Sequence, residues 1–361
     1  MRAHHALVSD SLCLPAHFLI KGVVVDSLTK RPVQAAWIFV NNTTLDTVSL
    51  RSGAYRLSGV PMGRHEIVVS ATGYLPRRII ADGTKEPALT DTICLLPLRP
   101  KSLEEMLART KYKEWNFFYH KFKAHFLGTS DWASEVRILN PWVIYFEYTN
   151  SKEWRALAND LLLIENMALG YRIRCYLEQM AVAGQVAVFD GCLFFEPIAT
   201  IDPHIAEKWR KNRQVAYRGS LMQFLRCLAT AENDSLFKVF RLRGTEYFYH
   251  TQEPASKVAQ SPTSVIQPTE SPYEFSFVFA RDQMQINYYG AGEDMAYRRF
   301  VNRMTRIQRL PERFRASWLA SRSERVMFNR LGYFYNPLTV EVYGYWEYQR
   351  IAERLPIDYN P

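Results

Sequence analysis

Between residues 18 and 98, short β-branched and aromatic runs alternate with turn chemistry at a spacing too tight for helices to fit between them. The runs read FLIKGVVVD, VQAAWIFV, GAYRLSGV, HEIVVSATGY and DTICLLPL, and between them fall TKRP, NNTT, RSG, PMG and ADGT. Gly, Pro, Asn and Asp supply the backbone conformations that reverse a chain. A βαβ unit would need a crossover of about a dozen residues, so this stretch predicts a β-sandwich. Gly22, Gly53, Gly63 and Gly73 stand where turns or bulges call for a small residue or a positive φ. Pro32 and Pro61 stand at strand starts, where a missing N–H costs least.

After Pro97 and Pro100 the period changes. Residues 102–127 read as a helix, with Ser102 and Glu105 as a capping box, Trp115, Phe118, Phe122 and Phe126 at helical steps, and Gly128 just past its end. Residues 143–148 and 161–180 read as strands. A second helix begins at Asp202-Pro203, an N-cap with proline at N1, and its inner stripe runs from Ile205 through Trp209, Asn212 and Ala216 to Phe224 and Leu228. Residues 250–273 are rich in Pro, Ser, Thr and Gln and read as a flexible insertion. Strands resume at 273–280 and 284–290, Arg298–Arg309 reads as helix, and RVMFNRLGYFYN and LTVEVYGYW read as strands paired with each other, with a short helix at Leu355-Pro356. With 361 residues, the fold class is a β-sandwich (18–98) followed by an α+β domain (102–361).

Several classes of function are disfavoured. No apolar run approaches the roughly 20 residues of a membrane-spanning helix. The first seventeen residues lack an apolar core of about 7–15 residues, so no secretory signal is visible in this chain. Five cysteines with no C-x-x-C argue against a zinc ribbon or a thioredoxin-type pair. Lys+Arg 45 against Asp+Glu 36 gives +9, and eleven of the arginines fall between Arg281 and Arg330 with no lysine and five acids. Arg forks suit carboxylate and phosphate. The charge is nevertheless dispersed and no reader motif accompanies it, so it reads as a solvated face and no nucleic-acid partner is expected. G-x-S-x-G, G-x-x-x-x-G-K-[ST] and G-x-G-x-x-G after a strand are all missing, and no cofactor is implied.

Three constellations remain. His204-Ile-Ala-Glu207 spells the H-x-x-E of a zinc ligand pair, with His250 as a distant third candidate; at the start of a helix the same residues read as dipole and cap chemistry, which is the preferred reading. Glu165-Asn166 interrupts an apolar strand, with Arg172 and Arg213 as the nearest cations by motif. Such a carboxylate is either an acid in a cleft or one half of a structural ion pair, with Asn166 bonding backbone at a bend; the second is favoured. Tyr343, Tyr345, Trp346 and Tyr348 offer flat faces for a sugar or fill a core, and the core reading is favoured. Residues with ligand-binding potential are therefore Glu165, Asn166, Tyr171, Arg213, Tyr217, Tyr345 and Trp346; no catalytic or metal residue is assigned.

Gly22-Val-Val-Val-Asp26, Thr29-Lys-Arg-Pro32-Val33-Gln-Ala-Ala36, Gly53-Ala-Tyr55, Val60-Pro61-Met-Gly63 and Val69-Ser70-Ala-Thr-Gly73-Tyr74 resemble the carboxypeptidase regulatory-like domain, a transthyretin-like sandwich. One departure is Ser49-Leu50, where that family usually carries Thr-Asp. Further along, Phe126-Leu-Gly-Thr-Ser130, Ile138-Leu-Asn-Pro141, the stretch Leu163–Ile173, Trp209-x-x-Asn212-Arg213-x-x-Ala216-Tyr217-x-Gly219-Ser220 and the ending Gly344–Tyr359 extend the likeness nearly end to end. Together they resemble the carboxypeptidase-like regulatory-domain proteins of Bacteroidota. The resemblance implies a periplasmic or cell-envelope location and no agreed activity. The expected function is a non-enzymatic binding or scaffolding protein with the sandwich as accessory module, its partner an envelope protein or a glycan or peptide ligand. The rivals are an uncharacterised hydrolase, zinc-dependent or glycan-acting, and a docking subunit of an outer-membrane assembly.

Overall fold

A computed structural model describes residues 17–84, 88–98, 112–183, 186–230, 234–243, 256–279, 283–291, 294–305, 313–321 and 323–361. The sandwich is built from β1 (His17–Asp26), β2 (Trp37–Val40), β3 (Asp46–Val48), β4 (Ala54–Pro61), β5 (Arg64–Ser70), β6 (Arg77–Asp82) and β7 (Ala88–Leu95). One sheet has the order β4-β1-β7, with β7 parallel to β1; the other is antiparallel, β3-β2-β5-β6. Alternation puts Ile20, Val24, Ile38, Leu57, Ile67 and Ile93 into the core between them. The sequence fingerprints do structural work here. Asp26 Oδ1 accepts from the N–H groups of Leu28 and Thr29, both at 2.8 Å, while Tyr74 Oη donates to its Oδ2 at 2.9 Å. Ser49 is buried, accepts from Ala36 N at 2.9 Å and donates to Val33 O at 2.7 Å, so a hydroxyl ties this turn. At Gly22 the β7 backbone comes so close that a Cβ would strike the Asp91 carbonyl.

The body opens with α1 (Tyr112–Phe126). The expected Ser102–Glu105 cap lies outside the described residues. Next come β8 (Val136–Ile138), β9 (Ile144–Asn150), β10 (Glu153–Ala158), β11 (Leu162–Asn166), β12 (Tyr171–Ala183) and β13 (Val186–Pro197), one antiparallel sheet. The long β12 pairs along one edge with β11 and then β10, and along the other with β13. Phe118, Phe122 and Phe126 of α1 pack against this sheet.

Two further helices follow, α2 (Pro203–Tyr217) and α3 (Leu221–Thr230). The sequence predicts one continuous helix here. Gly219, at φ 78, breaks it, and Ser220 Oγ caps the restart by accepting from Gln223 N at 3.1 Å. The inner stripe is thereby divided: Ala216 belongs to the first core of the body, Phe224 and Leu228 to a second. That second core fills the space between β14 (Phe237–Arg243), β15 (Ser256–Gln260), β16 (Ile266–Pro268), β17 (Glu274–Val278), β18 (Gln283–Tyr288), α4 (Met295–Thr305), β19 (Arg315–Ser321), β20 (Arg325–Asn329), β21 (Val340–Gly344) and α5 (Tyr345–Tyr348). The sheets are β15-β14-β18-β19-β21 and β16-β17-β20.

Three expectations change. Residues 256–268 form two strands and a 3-10 turn, with Val265 fully buried, where a flexible insertion was expected; residues 250–255 lie outside the described residues. β20 pairs with β17 and β21 with β19, rather than with each other, because the intervening 330–339 segment crosses between two sheets. The short helix sits at Tyr345–Tyr348, not at Leu355-Pro356, where the chain runs irregular and buried.

Candidate functional site

The β11–β12 hairpin turns through Asn166-Met-Ala-Leu-Gly170. Asn166, fully buried, accepts from Leu169 N at 3.0 Å through its side chain, and Gly170, at φ 70, closes the turn. A Cβ on Gly170 would collide with the Trp209 ring. One face of α2 reads four successive carbonyls of this turn. Trp209 Nε1 donates to Met167 O at 2.7 Å, Asn212 Nδ2 to Ala168 O at 2.8 Å, and Arg213 Nε and Nη2 to Leu169 O and Gly170 O at 2.7 and 3.2 Å. The spacing i, i+3, i+4 puts the three side chains on one face. Arg213 also lies 4.3 Å from the centroid of the buried Tyr171 ring, whose hydroxyl burial pushes up to about 12.

Glu165 and Asn166 point to opposite faces of β11. Asn166 Nδ2 donates to Ile351 O and Ala352 O, at 3.2 and 3.1 Å, on the inner side. Glu165 faces out, 28% exposed, with Arg172 across the ladder at 4.0 Å. Arg213 is spent on carbonyls, so the structure does not bring Glu165 and Arg213 together. Tyr217 is half-buried between Arg226, 5.4 Å from its ring, and Tyr359. Tyr345 and Trp346 are 3% and 6% exposed; Tyr345 Oη accepts from Arg315 Nη1 at 2.9 Å and Trp346 Nε1 donates to Gly219 O at 2.7 Å. Both rings lie in the core, the reading favoured for this cluster, so the two are not open to a ligand as the candidate set had them. In the H-x-x-E string, Glu207 is bound bidentately by Arg210 at 2.7 Å, with Lys211 beside it, and these cations hold its carboxyl down at about 2. His250 lies outside the described residues.

Two groups escaped sequence reasoning. The first is Glu347, Arg350 and Glu353. Glu353 accepts from Ser130 Oγ and, at 2.9 Å, from Arg350 N; Arg350 reaches Glu347 at 3.5 Å. Burial pushes both carboxyls up to about 7, with Asp294 adding to the rise at Glu353 and Arg350 opposing it at Glu347. The signal lay in WEYQRIAER, where charges interrupt a run that must be buried. The second group joins sandwich to body. Trp37, Phe39 and Val68 pack on Tyr176, Cys192 and Phe194, and the NNTT turn runs along β13: Asn42 N donates to Leu193 O at 2.7 Å and Phe195 N to Thr43 O at 2.9 Å. Arg78 crosses the joint to Glu178 at 2.7 Å and to Asp190 at 3.5 Å, with Glu66 also at 3.5 Å. The C-terminal segment closes it: Ile357 N donates to Asn42 O at 2.7 Å, Thr44 Oγ1 to Asp358 at 2.5 Å, and Arg226 to the carbonyls of Leu331, Ile357 and Tyr359.

Residues 19–90 match the family model of the carboxypeptidase regulatory-like domain, which coincides with the sandwich. No curated protein matches the chain. Among solved structures, similar chains include BcpA, the major pilin subunit of Bacillus cereus, at 16% identity over 23% of this chain and 31% of that one, with a TM-score of 0.19. The chain thus spans about a third of that pilin's length. A putative membrane-associated protein of unknown function from Bacteroides fragilis is similar at 11% identity over 52% of this chain and 85% of that one, with a TM-score of 0.18. Among the described residues, no helix is long and apolar enough to cross a membrane.

Proposed function

We propose that this chain is a non-enzymatic binding or scaffolding protein of the cell envelope, with the regulatory-like sandwich as an accessory module fixed on the α+β body. The observation that carries the reading is the commitment of the candidate polar side chains. Trp209, Asn212 and Arg213 are spent on a hairpin, Asn166 on the C-terminal segment, and Glu207 on its own helix. A general acid or nucleophile needs a free face and a converging partner, and these residues have given theirs to backbone and neighbours. The family match over 19–90 supports the accessory role of the sandwich.

A photo-crosslinking residue at Ile80 on the sandwich or Trp142 on the body, 68% and 72% exposed, tests this in intact cells. The expected result is an adduct with an envelope protein or glycan from at least one position. Turnover of a peptide or glycan by the purified chain, abolished by Glu165→Gln, would overturn the reading.

A further inference from the structure

Arg354 lies where the C-terminal segment crosses the sandwich. Its Nη2 donates to Asn42 Oδ1 at 3.0 Å; among the described residues its guanidinium meets no other acceptor and forms no ion pair. The groups whose charge acts on it are the Tyr333 phenol and the Cys175 thiol, both pushed up by burial and hence neutral near pH 7. Of the acids at the joint, Glu66, Glu178 and Asp190 gather on Arg78, and Asp358 accepts from Thr44 N and Oγ1. A half-buried cation with no anion beside it keeps donors that neither water nor protein fully satisfies.

Tyr333 repeats the pattern. Its hydroxyl accepts from Asn42 Nδ2 at 3.3 Å, and among the described residues its own proton finds no acceptor. The Asn42 amide bonds to both groups from a fixed position. It is buried, its φ is 60, and its backbone is tied to Leu193 O and Ile357 N. Asparagine tolerates the left-handed region, so this φ suits its place in the NNTT turn. The result is a guanidinium and a phenol, each partly exposed, with unspent donors beside the same amide.

We propose that Arg354 and Tyr333 form a binding site for a ligand carboxylate at the joint between sandwich and body. The planar two-oxygen acceptor matches the guanidinium fork, and the Tyr333 O–H supplies a further donor to it. This deepens the binding reading by naming a ligand chemistry. A failure here would remove the carboxylate site and leave the crosslinks described above untouched.

The test is calorimetric titration of the full chain with sodium acetate, against sodium chloride at equal ionic strength, for wild type, Arg354→Gln and Tyr333→Phe. Saturable acetate binding is expected in the wild type, weakened about tenfold or more in Arg354→Gln and severalfold in Tyr333→Phe. If Arg354→Gln fails to fold, Tyr333→Phe, which keeps the ring, carries the comparison. No acetate binding beyond chloride, equal binding by a folded variant and wild type, or tighter binding of inorganic phosphate than of acetate would overturn the proposal.

Discussion

Glu347 and Glu353 show what burial does to single residues. Their carboxyls sit near 7 against an ordinary value of 4.5, because the folded chain removes water from the charged form. A raised folded value means the stability these groups contribute is present in full below about 4.5 and is lost as pH rises through about 7. The thermal midpoint is therefore expected to fall between about pH 5 and about pH 8, by several degrees, and Glu353→Gln is expected to flatten that slope. A wild-type midpoint that rises over this range, followed by circular dichroism, contradicts the assignment. Gly170→Ala belongs to the same scale: the positive φ costs about 1–2 kcal/mol and the new methyl meets the Trp209 ring, so urea denaturation is expected to show a loss of at least that size. Neither effect is legible from the residue alone. The string WEYQRIAER displays its charges, but their burial depends on α1 and the β11–β12 hairpin arriving from far away in sequence.

At the scale of elements, α2 and the hairpin it reads are one unit. Asn212→Ala leaves the Ala168 carbonyl without its side-chain donor and is expected to cost about 1 kcal/mol; Arg213→Ala removes two charge-assisted bonds and the contact with Tyr171, for about 2–3 kcal/mol. Unfolding midpoints unchanged in both variants would show that α2 is held by its apolar face alone. The start of α2 was legible, since Asp202-Pro203 is local chemistry: Asp202 Oδ1 accepts from His204 N at 2.8 Å. The break at Gly219 was not, because the apolar stripe continues in period across it and two different cores supply the continuity. The stretch 256–268 resembled a loop by composition. Its turn-forming composition is real, yet strand pairing to β14 and β17 overrides it.

Across the whole molecule, the sandwich could be read from its runs and turns, and its pairing with a body of mixed structure from the change of period. The joint could not. NNTT is turn chemistry, and it serves as such, but the same four residues also align along β13 and receive the C-terminal segment. Polar fingerprints fasten the layers to one another, so sandwich and body should open together. Amide hydrogen exchange at Asn42, Phe195 and Ile357, whose N–H groups donate across the joint, tests this most directly. Protection matching that of the sandwich core, at residues such as Ile38 and Ile67, is the expected result. Fast, loop-like exchange at these three amides while Ile38 and Ile67 stay protected would contradict it.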